Sequence, residues 1–191
     1  SGANGLVGYE LTKFFISRNI KVICIGRKYF EQTQLHQIPL DKKNYICLAV
    51  EKIIELPNLL KKINYNFDAE TVFFNFAWRG LYKLTDGKIA DQINNAVFAA
   101  EAVKVAKKIG CNKFVNVGTA EEYNAENYLR NNYPKRHNQN QLFYTLAKLT
   151  SRDMCSITAY LEKIDYIHTR LSVPLDPVSY THLTLPTSPK V

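Results

Sequence analysis

The sequence predicts an α/β fold built on a doubly wound parallel sheet. Three observations support this prediction. Short apolar segments of strand length alternate with segments of helical periodicity. A glycine triplet at the start of the chain runs directly into a helical segment. The 191 residues, 46% of them hydrophobic and 22% charged, suit one globular domain. Such alternation places helices on both faces of a sheet whose crossovers are right-handed.

The first half of the chain supplies two strands and two helices. Residues 6–18 have apolar residues at helical spacing. After the break at Asn19, residues 21–25 form a short apolar run of strand length. A second strand is predicted at 45–50, and a helix follows it at 51–63.

The second half repeats this alternation around one polar stretch, at 124–140, to which no element is assigned. The predicted strands are 71–77, 113–117 and 166–171, and the predicted helices are 88–109 and 142–162. Ligands of doubly wound sheets bind beyond the carboxyl ends of the strands, so we expect the site residues there.

Both ends of the chain depart from a complete domain of this class. Ser1 lies inside the glycine loop, so we expect a first strand ahead of it. Residues 178–187 read VSYTHLTLPT, the translation of a DNA that resembles a sequencing-library adapter. A natural Thr/Pro-rich tail is the alternative. We expect 1–176 to be the domain and 177–191 to be foreign to it.

Composition narrows the classes of ligand and partner. The net charge of +8, from 25 Lys+Arg against 17 Asp+Glu, favours anionic ligands. The basic residues are scattered, so no nucleic-acid partner is expected. No apolar run reaches the roughly 18 to 20 residues of a bilayer crossing, so we expect a cytoplasmic protein without a membrane partner. We expect buried free thiols, and no metal site, at the widely spaced cysteines, which are Cys24, Cys47, Cys111 and Cys155.

The glycine triplet predicts a dinucleotide site. Glycines at positions 2, 5 and 8 let the backbone turn tightly and approach a pyrophosphate, and the N–H groups of the following helix hold the anion. Ordinary turn glycines are the alternative. The candidate cofactor-binding residues of this loop are Gly2, Asn4, Gly5, Leu6 and Gly8.

The end of the 21–25 strand predicts which nicotinamide cofactor binds. A carboxylate at this place accepts from the ribose 2′-OH, whereas cations pair with a 2′-phosphate. The chain has Gly26 followed by Arg27 and Lys28. These two cations favour NADP(H) over NAD(H), and a solvated basic turn is the alternative.

Tyr144 and Lys148 form the candidate catalytic pair. Four residues apart on a helix, they share one face. A lysine near a phenol stabilises the phenolate and lowers the tyrosine pKa toward the range useful for proton transfer. Tyr9 and Lys13 have the same spacing, but they lie in the helix behind the glycine loop and are interpreted as structural.

Thr119 selects between the two pairs. It lies at the end of the 113–117 strand, 25 residues before Tyr144. A hydroxyl at a strand end and a Tyr/Lys pair on the next helix can converge on one substrate hydroxyl. Taken alone, Thr119 would more often be a helix cap or a turn residue.

With these motifs in place, the sequence resembles the extended short-chain dehydrogenase/reductases, the NAD(P)-dependent epimerase/dehydratase family, over about residues 1 to 175. The motifs that support the resemblance are GANGLVG at 2–8, FNFAWRG at 74–80, Asn95, FVNVGTAEEY at 114–123 and YTLAK at 144–148.

The resemblance implies roles for individual residues. Thr119 matches the active-site Ser/Thr, Tyr144 the acid/base and Lys148 the residue that also holds the nicotinamide ribose. The backbone of Ala77 and Trp78 lines the cofactor, and Asn95 joins the cofactor-binding set.

Three departures from the family pattern qualify these expectations. Asn75-Phe76-Ala77 replaces a frequent His-Leu-Ala, and Ala49-Val50 stands where an Asp often lies over the adenine. Ala120 follows Thr119 where sugar 4,6-dehydratases have Asp. This last departure favours an epimerase or a ketoreductase over a dehydratase.

The resemblance implies an NAD(P)-dependent nucleotide-sugar epimerase or ketoreductase that transfers a hydride at a sugar carbinol or 4-keto carbon. A homodimeric parent protein is compatible with the resemblance. A substrate region is expected beyond the last predicted strand, so we expect the 191 residues alone to be inactive. The alternative is a non-catalytic NAD(P)-binding sensor or partner-binding module, although such proteins usually lose the Tyr/Lys pair that this chain keeps.

Overall fold

The protein is an α/β domain with parallel sheets, as the sequence predicts. The computed structural model describes residues 1–65, 67–68, 70–80, 89–130 and 142–172. The strands are β1 Cys24–Gly26, β2 Tyr45–Cys47, β3 Val72–Asn75, β4 Lys113–Thr119 and β5 Asp165–Leu171. The α-helices are α1 Leu6–Ser17, α2 Leu56–Lys62, α3 Ile89–Lys108, α4 Glu122–Arg130 and α5 Leu142–Glu162. The segment 177–191, predicted to be foreign, lies outside the described residues.

Every strand pairs in parallel, in two sheets. β1 pairs with β2, and β4 lies between β3 and β5. The main core packs the inward faces of these strands against α2, α3 and α5, with Phe114, Val103 and Cys155 fully buried. Among the helices that the structure describes, none combines the length and the apolar character that a membrane crossing requires.

A groove of about 630 Å³ separates β1 from β3. Its walls are mainly apolar side chains of α1, β1 and β3, including Phe15, Ile25 and Phe73. Within the described chain, no strand lies between β1 and β3, so apart from the bonds that Ser1 and Ala3 make with them the sheet edges that face the groove are unpaired.

Ser1 closes one end of this groove. Its amino group donates to the Phe74 carbonyl, and the Phe76 N–H donates to the Ser1 carbonyl at 3.1 Å. These two bonds are the pattern by which one residue of a parallel strand pairs with its neighbour. Burial lowers the pKa of the Ser1 amino group to about 5.

The strands predicted at 21–25 and 45–50 are shorter in the structure, as Cys24–Gly26 and Tyr45–Cys47, and two other assignments differ in type. The polar stretch at 124–140 was assigned no element, but α4 occupies its first part as Glu122–Arg130. Ion pairs stabilise α4 in place of a long apolar stripe, because Glu126 accepts from Arg152 at 2.6 Å and from Arg170 at 2.7 Å.

The helix predicted at 51–63 is two elements. A 3₁₀ segment spans Val50–Glu55, and the α-helix begins only at Leu56, with Pro57 in its first turn. Proline is compatible with the first turn of a helix and not with its interior, so it marks the start.

Candidate functional site

The glycine loop bends around the carboxyl end of β3. Gly2 has a φ of +74°, and a Cβ placed on it would lie 2.6 Å from the Ala77 nitrogen. A Cβ on Gly8 would lie 2.5 Å from the Gly2 carbonyl oxygen. Both positions therefore require glycine, whereas a Cβ on Gly5 would meet only that same oxygen, at 3.5 Å. The loop is tied to β1 by the Ala3 N–H, which donates to Ile25 at 3.2 Å.

The start of α1 suits an anion. Gly5 is the N-cap residue, no side chain caps the helix, and its first turn has no acidic residue. The N–H groups of a first helical turn then have free capacity for a phosphate. Leu6, the first residue of the helix, is 39% exposed beside them.

The candidate cations lie just past β1. Arg27 and Lys28 are exposed. The Tyr45 hydroxyl donates to the Lys28 carbonyl at 2.6 Å, and the Asn4 amide donates to the Tyr45 hydroxyl at 3.1 Å. The tyrosine thus joins the glycine loop to the basic turn, and both face one edge of the sheet.

A row of polar side chains crosses the sheet below the loop. The Ser1 hydroxyl donates to the Asn75 carboxamide oxygen at 2.6 Å, and Asn75 donates to Asn116 at 3.0 Å. Asn116 donates in turn to the Ser151 hydroxyl at 3.2 Å. Asn75, Asn116 and Ser151 are all at most 2% exposed. The asparagine that departs from the family's histidine therefore bonds to the neighbouring strand.

The segment after β3 is fixed on α3. Asn95 is 3% exposed, and its carboxamide accepts from the Arg79 N–H at 2.8 Å and donates to the Arg79 carbonyl at 3.0 Å. The Trp78 indole N–H donates to Gln92 at 2.8 Å. Asn95 thus positions the backbone that follows Ala77 and Trp78.

The structure brings the predicted catalytic residues together beyond β4. Thr119 is the last residue of that strand, and Tyr144 and Lys148 lie one turn apart in α5. The Lys148 ammonium donates to the Val117 carbonyl at 2.8 Å and lies 5.9 Å from the centre of the Tyr144 ring. The three side chains therefore share one corner of the sheet edge.

The electrostatics of the pair differ from the sequence-based expectation. Burial raises the pKa of Tyr144, the charges of Glu122 and Glu121 raise it further, and a side-chain hydrogen bond with Thr119 opposes them. Lys148 was expected to lower this pKa, but its ammonium is turned to Val117. Burial lowers the pKa of Lys148 to about 8.

A buried carboxylate that the sequence analysis did not single out lies beneath Thr119. Glu122 is fully buried, and it accepts from the Thr119 N–H at 2.9 Å, from His168 Nε2 at 3.0 Å and from Arg170 Nε at 3.1 Å. Burial alone would raise the pKa of Glu122, but these hydrogen bonds and the nearby positive charges lower it. Its only sequence signal is a position three residues after Thr119.

In the rival pair, Tyr9 is half-buried and the lysine lies at the surface. Lys13 forms an ion pair with Glu10 at 3.1 Å, and both side chains are about half exposed. Three of the four cysteines are buried as predicted, but Cys47 is exposed at the end of β2.

The chain is similar in sequence to one known protein family. The family model of the NAD dependent epimerase/dehydratase family matches residues 1–182. No curated protein matches the chain at a significant level.

Several solved structures share the fold. UDP-glucose 4-epimerase from Thermotoga maritima, solved with UDP-glucose, has 13% identity and a TM-score of 0.63 over 88% of this chain and 53% of its own. UDP-glucuronic acid 4-epimerase from Bacillus cereus, with NAD, has 16% identity and a TM-score of 0.61 over 90% and 55%. WbmH from Bordetella bronchiseptica, with NAD+, has 16% identity and a TM-score of 0.60 over 90% and 54%. At these identities the likeness shows the fold, and the chain spans about half the length of these structures.

Proposed function

Because the chain belongs to the NAD dependent epimerase/dehydratase family, we propose that it contributes the cofactor-binding and hydride-transfer half of a nucleotide-sugar epimerase. The observation that supports this most is the meeting of Thr119, Tyr144 and Lys148 in one corner beyond β4. A hydroxyl, a phenol and an amine in that arrangement suit proton exchange with a sugar hydroxyl.

The residues present fit a nicotinamide dinucleotide. The uncapped start of α1 and the tight loop around Gly2 suit its pyrophosphate, and the segment at Ala77 and Trp78 would lie along its nicotinamide side. When bound, the cofactor supplies a hydride acceptor and donor. Lys148 would hold its ribose, and Asn95 would act through the backbone of Arg79.

The proton chemistry belongs to the chain itself. Tyr144, as phenolate, would accept the proton of the sugar hydroxyl as the hydrogen on the same carbon leaves as hydride to the bound cofactor, which would give a keto sugar. Thr119 donates a hydrogen bond to the reacting oxygen. The Lys148 ammonium donates to Val117 and not to the phenol, so it would stabilise the phenolate only through space. Tyr144 would then return its proton to the oxygen as the hydride comes back from the cofactor to the other face of the keto carbon, which would complete an epimerisation.

The exposed cations Arg27 and Lys28, with Gly26 in place of a carboxylate, support a preference for NADP(H). WbmH was solved with NAD+ and the Bacillus cereus UDP-glucuronic acid 4-epimerase with NAD, so the preference needs a direct test. The dissociation constants of NADPH and NADH are measured on the same preparation. We expect NADPH to bind more tightly, and Arg27→Ala to remove most of the difference. A tenfold preference for NADH, about 1.4 kcal/mol, would contradict this proposal.

The proposed substrate is a nucleoside diphosphate sugar. Several proteins that share the fold act on such sugars, and the net charge of +8 favours an anionic ligand. We also propose that the 191 residues bind cofactor but need a further substrate-binding region for turnover.

The deciding experiment uses protein expressed from the full reading frame, with cofactor and a panel of nucleotide sugars. We expect interconversion of two epimers without net consumption of cofactor. Stoichiometric cofactor oxidation would instead identify a ketoreductase, and cofactor binding with no turnover on any sugar would favour a sensor. Tyr144→Phe is the matched inactive control.

A further inference from the structure

The Lys148 ammonium is enclosed by two groups that are not acidic. The side chain is 7% exposed, its Nζ donates to the Val117 carbonyl at 2.8 Å, and the same atom lies 3.9 Å from the centre of the Trp78 ring. A cation this close to an indole face is attracted by the quadrupole of the ring. The indole is therefore a second partner of the ammonium, beside the Val117 carbonyl.

Trp78 is held in this position independently of the lysine. Its indole N–H donates to Gln92 at 2.8 Å, and Gln92, itself 3% exposed on α3, also donates to the Gly80 carbonyl at 3.4 Å. The plane of the indole is thus set by α3 and by the segment after β3.

The same ring contacts the phenol. The rings of Trp78 and Tyr144 are 5.9 Å apart and nearly perpendicular, at 87°. This edge-to-face arrangement is favourable for two aromatic rings. One indole therefore touches both members of the Tyr/Lys pair, which belong to a different element of the fold.

We propose that Trp78 is a positioning residue whose indole face holds the Lys148 ammonium against Val117 and whose contact with Tyr144 fixes the phenol, so that the pair is arranged before substrate binds. The catalytic role of Trp78 rests on the function proposed above, but the contact between its indole and the Lys148 ammonium does not. The family resemblance implies a role only for the backbone of Trp78. The side-chain role assigned here predicts that the protonation state of one lysine is visible in the spectrum of one tryptophan.

The chain is well suited to this test because Trp78 is its single tryptophan. Burial lowers the pKa of Lys148 to about 8, whereas the charges of Glu122 and Cys155 act in the opposite direction. The other titrating groups around the ammonium do not interfere. The pKa of Glu122 is lowered, that of Tyr144 is raised, and that of Cys155 is raised to about 12.

The experiment is a fluorescence titration of the chain without cofactor or substrate. We expect one step in Trp78 emission with a midpoint near pH 8, because loss of the proton removes the cation from the indole face. Lys148→Met should abolish the step. Lys148→Arg, which retains a cation at every pH used, should keep the emission at its low-pH value. Lys13→Met, the matched control, should leave the step unchanged, since Lys13 lies over Tyr9.

Absence of the step in the wild-type chain, or its persistence in both Lys148 variants, would overturn the proposal. Circular dichroism checks that each variant is folded. If the Lys148→Met variant does not fold, the Lys148→Arg variant still decides the test. A second measurement uses activity from the full reading frame. Trp78→Leu should lower kcat with a shifted pH profile, and Trp78→Phe should restore part of both. A titration that succeeds while the epimerase assay fails would retain the contact and reject only the proposed function.

Discussion

Tyr144 and Tyr9 each precede a lysine by four residues, and only their surroundings distinguish them. Lys148 is almost fully buried between Val117 and Trp78, whereas Lys13 is paired with Glu10 on the surface. A site for proton transfer needs a partly desolvated group whose neighbours bias its protonation. These surroundings support the choice of Tyr144.

The first prediction follows from this difference. In protein from the full reading frame, Tyr144→Phe should reduce turnover by about 10²- to 10⁴-fold, the usual contribution of a general acid or base. Cofactor affinity should change little, because the phenol acts on the substrate. Steady-state kinetics and a cofactor titration measure both effects. If Tyr9→Phe caused the larger loss of turnover, the assignment of the pair would be wrong.

A second prediction concerns Glu122, which is buried and bonded to His168 and Arg170. Its pKa is lowered in the folded state, so its stabilising contribution is present at neutral pH and is lost as the pH falls through that lowered value. Glu122→Gln should cost about 3 kcal/mol at neutral pH, near the lower end for a broken buried pair because Arg170 is partly solvated. The cost should shrink at acidic pH.

Thermal unfolding at neutral pH and at about pH 2, below the range in which a paired carboxylate titrates, measures this loss. Glu10→Gln removes an exposed carboxylate and is the control, with little change expected at either pH. An equal destabilisation of the Glu122 variant at both pH values would show that packing, and not charge, sets its contribution.

At the scale of elements, the glycine loop permits a third prediction. A Cβ on Gly8 would meet backbone atoms at 2.5 and 2.9 Å, none of which is the end of a flexible side chain. Gly8→Ala should therefore cost about 3 kcal/mol, the upper end for overpacking. Gly5→Ala should cost less than about 1 kcal/mol, since the only contact there is ordinary. Chemical denaturation of the two variants compares them, and equal losses would contradict the loop geometry.

Element types were predictable where a helix or strand has its own apolar pattern, as in α3, β4 and α5. The short α4 was not, because its helix depends on ion pairs from Glu126 to Arg152 and Arg170, which are distant in the sequence. The same reason hid the role of Glu122. A pattern along the chain reports burial of apolar residues, and it does not report which charges meet after folding.

The proximity of the candidate site residues was predictable to a similar extent. Local signatures mark the glycine spacing, the strand-end Thr119 and the Tyr144/Lys148 pair. The structure brings Thr119, Tyr144 and Lys148 together. The indole of Trp78 over Lys148 has no local signature, because 70 residues separate the two in the sequence. Expecting Lys148 to act on Tyr144 alone overlooked this competing partner.

For the whole molecule, the groove between the two sheets permits a fourth prediction. Five apolar residues of high β propensity, fused ahead of Ser1, should pair with the free edges of β1 and β3 and raise the thermal unfolding temperature. A Gly/Ser extension of equal length is the control. Both fusions convert the buried Ser1 amino group, whose pKa is about 5, to an amide. Their difference in unfolding temperature therefore reports strand pairing alone. Equal unfolding temperatures for the two fusions would contradict this prediction.

The hydrogen-bonded amides of Asn75 and Asn116 affect the register in which β3 pairs with β4. The two residues are direct partners in the β3–β4 register. A slip of one residue would place Asn75 beside Val115 or Val117 and turn alternate side chains to the wrong face. Each buried amide left without a hydrogen-bond partner would then lower the stability by about 1 to 3 kcal/mol. Strands with only apolar side chains at these positions would carry no such penalty. The pair therefore disfavours a shifted register of β3 against β4, which would also displace Trp78 relative to Thr119.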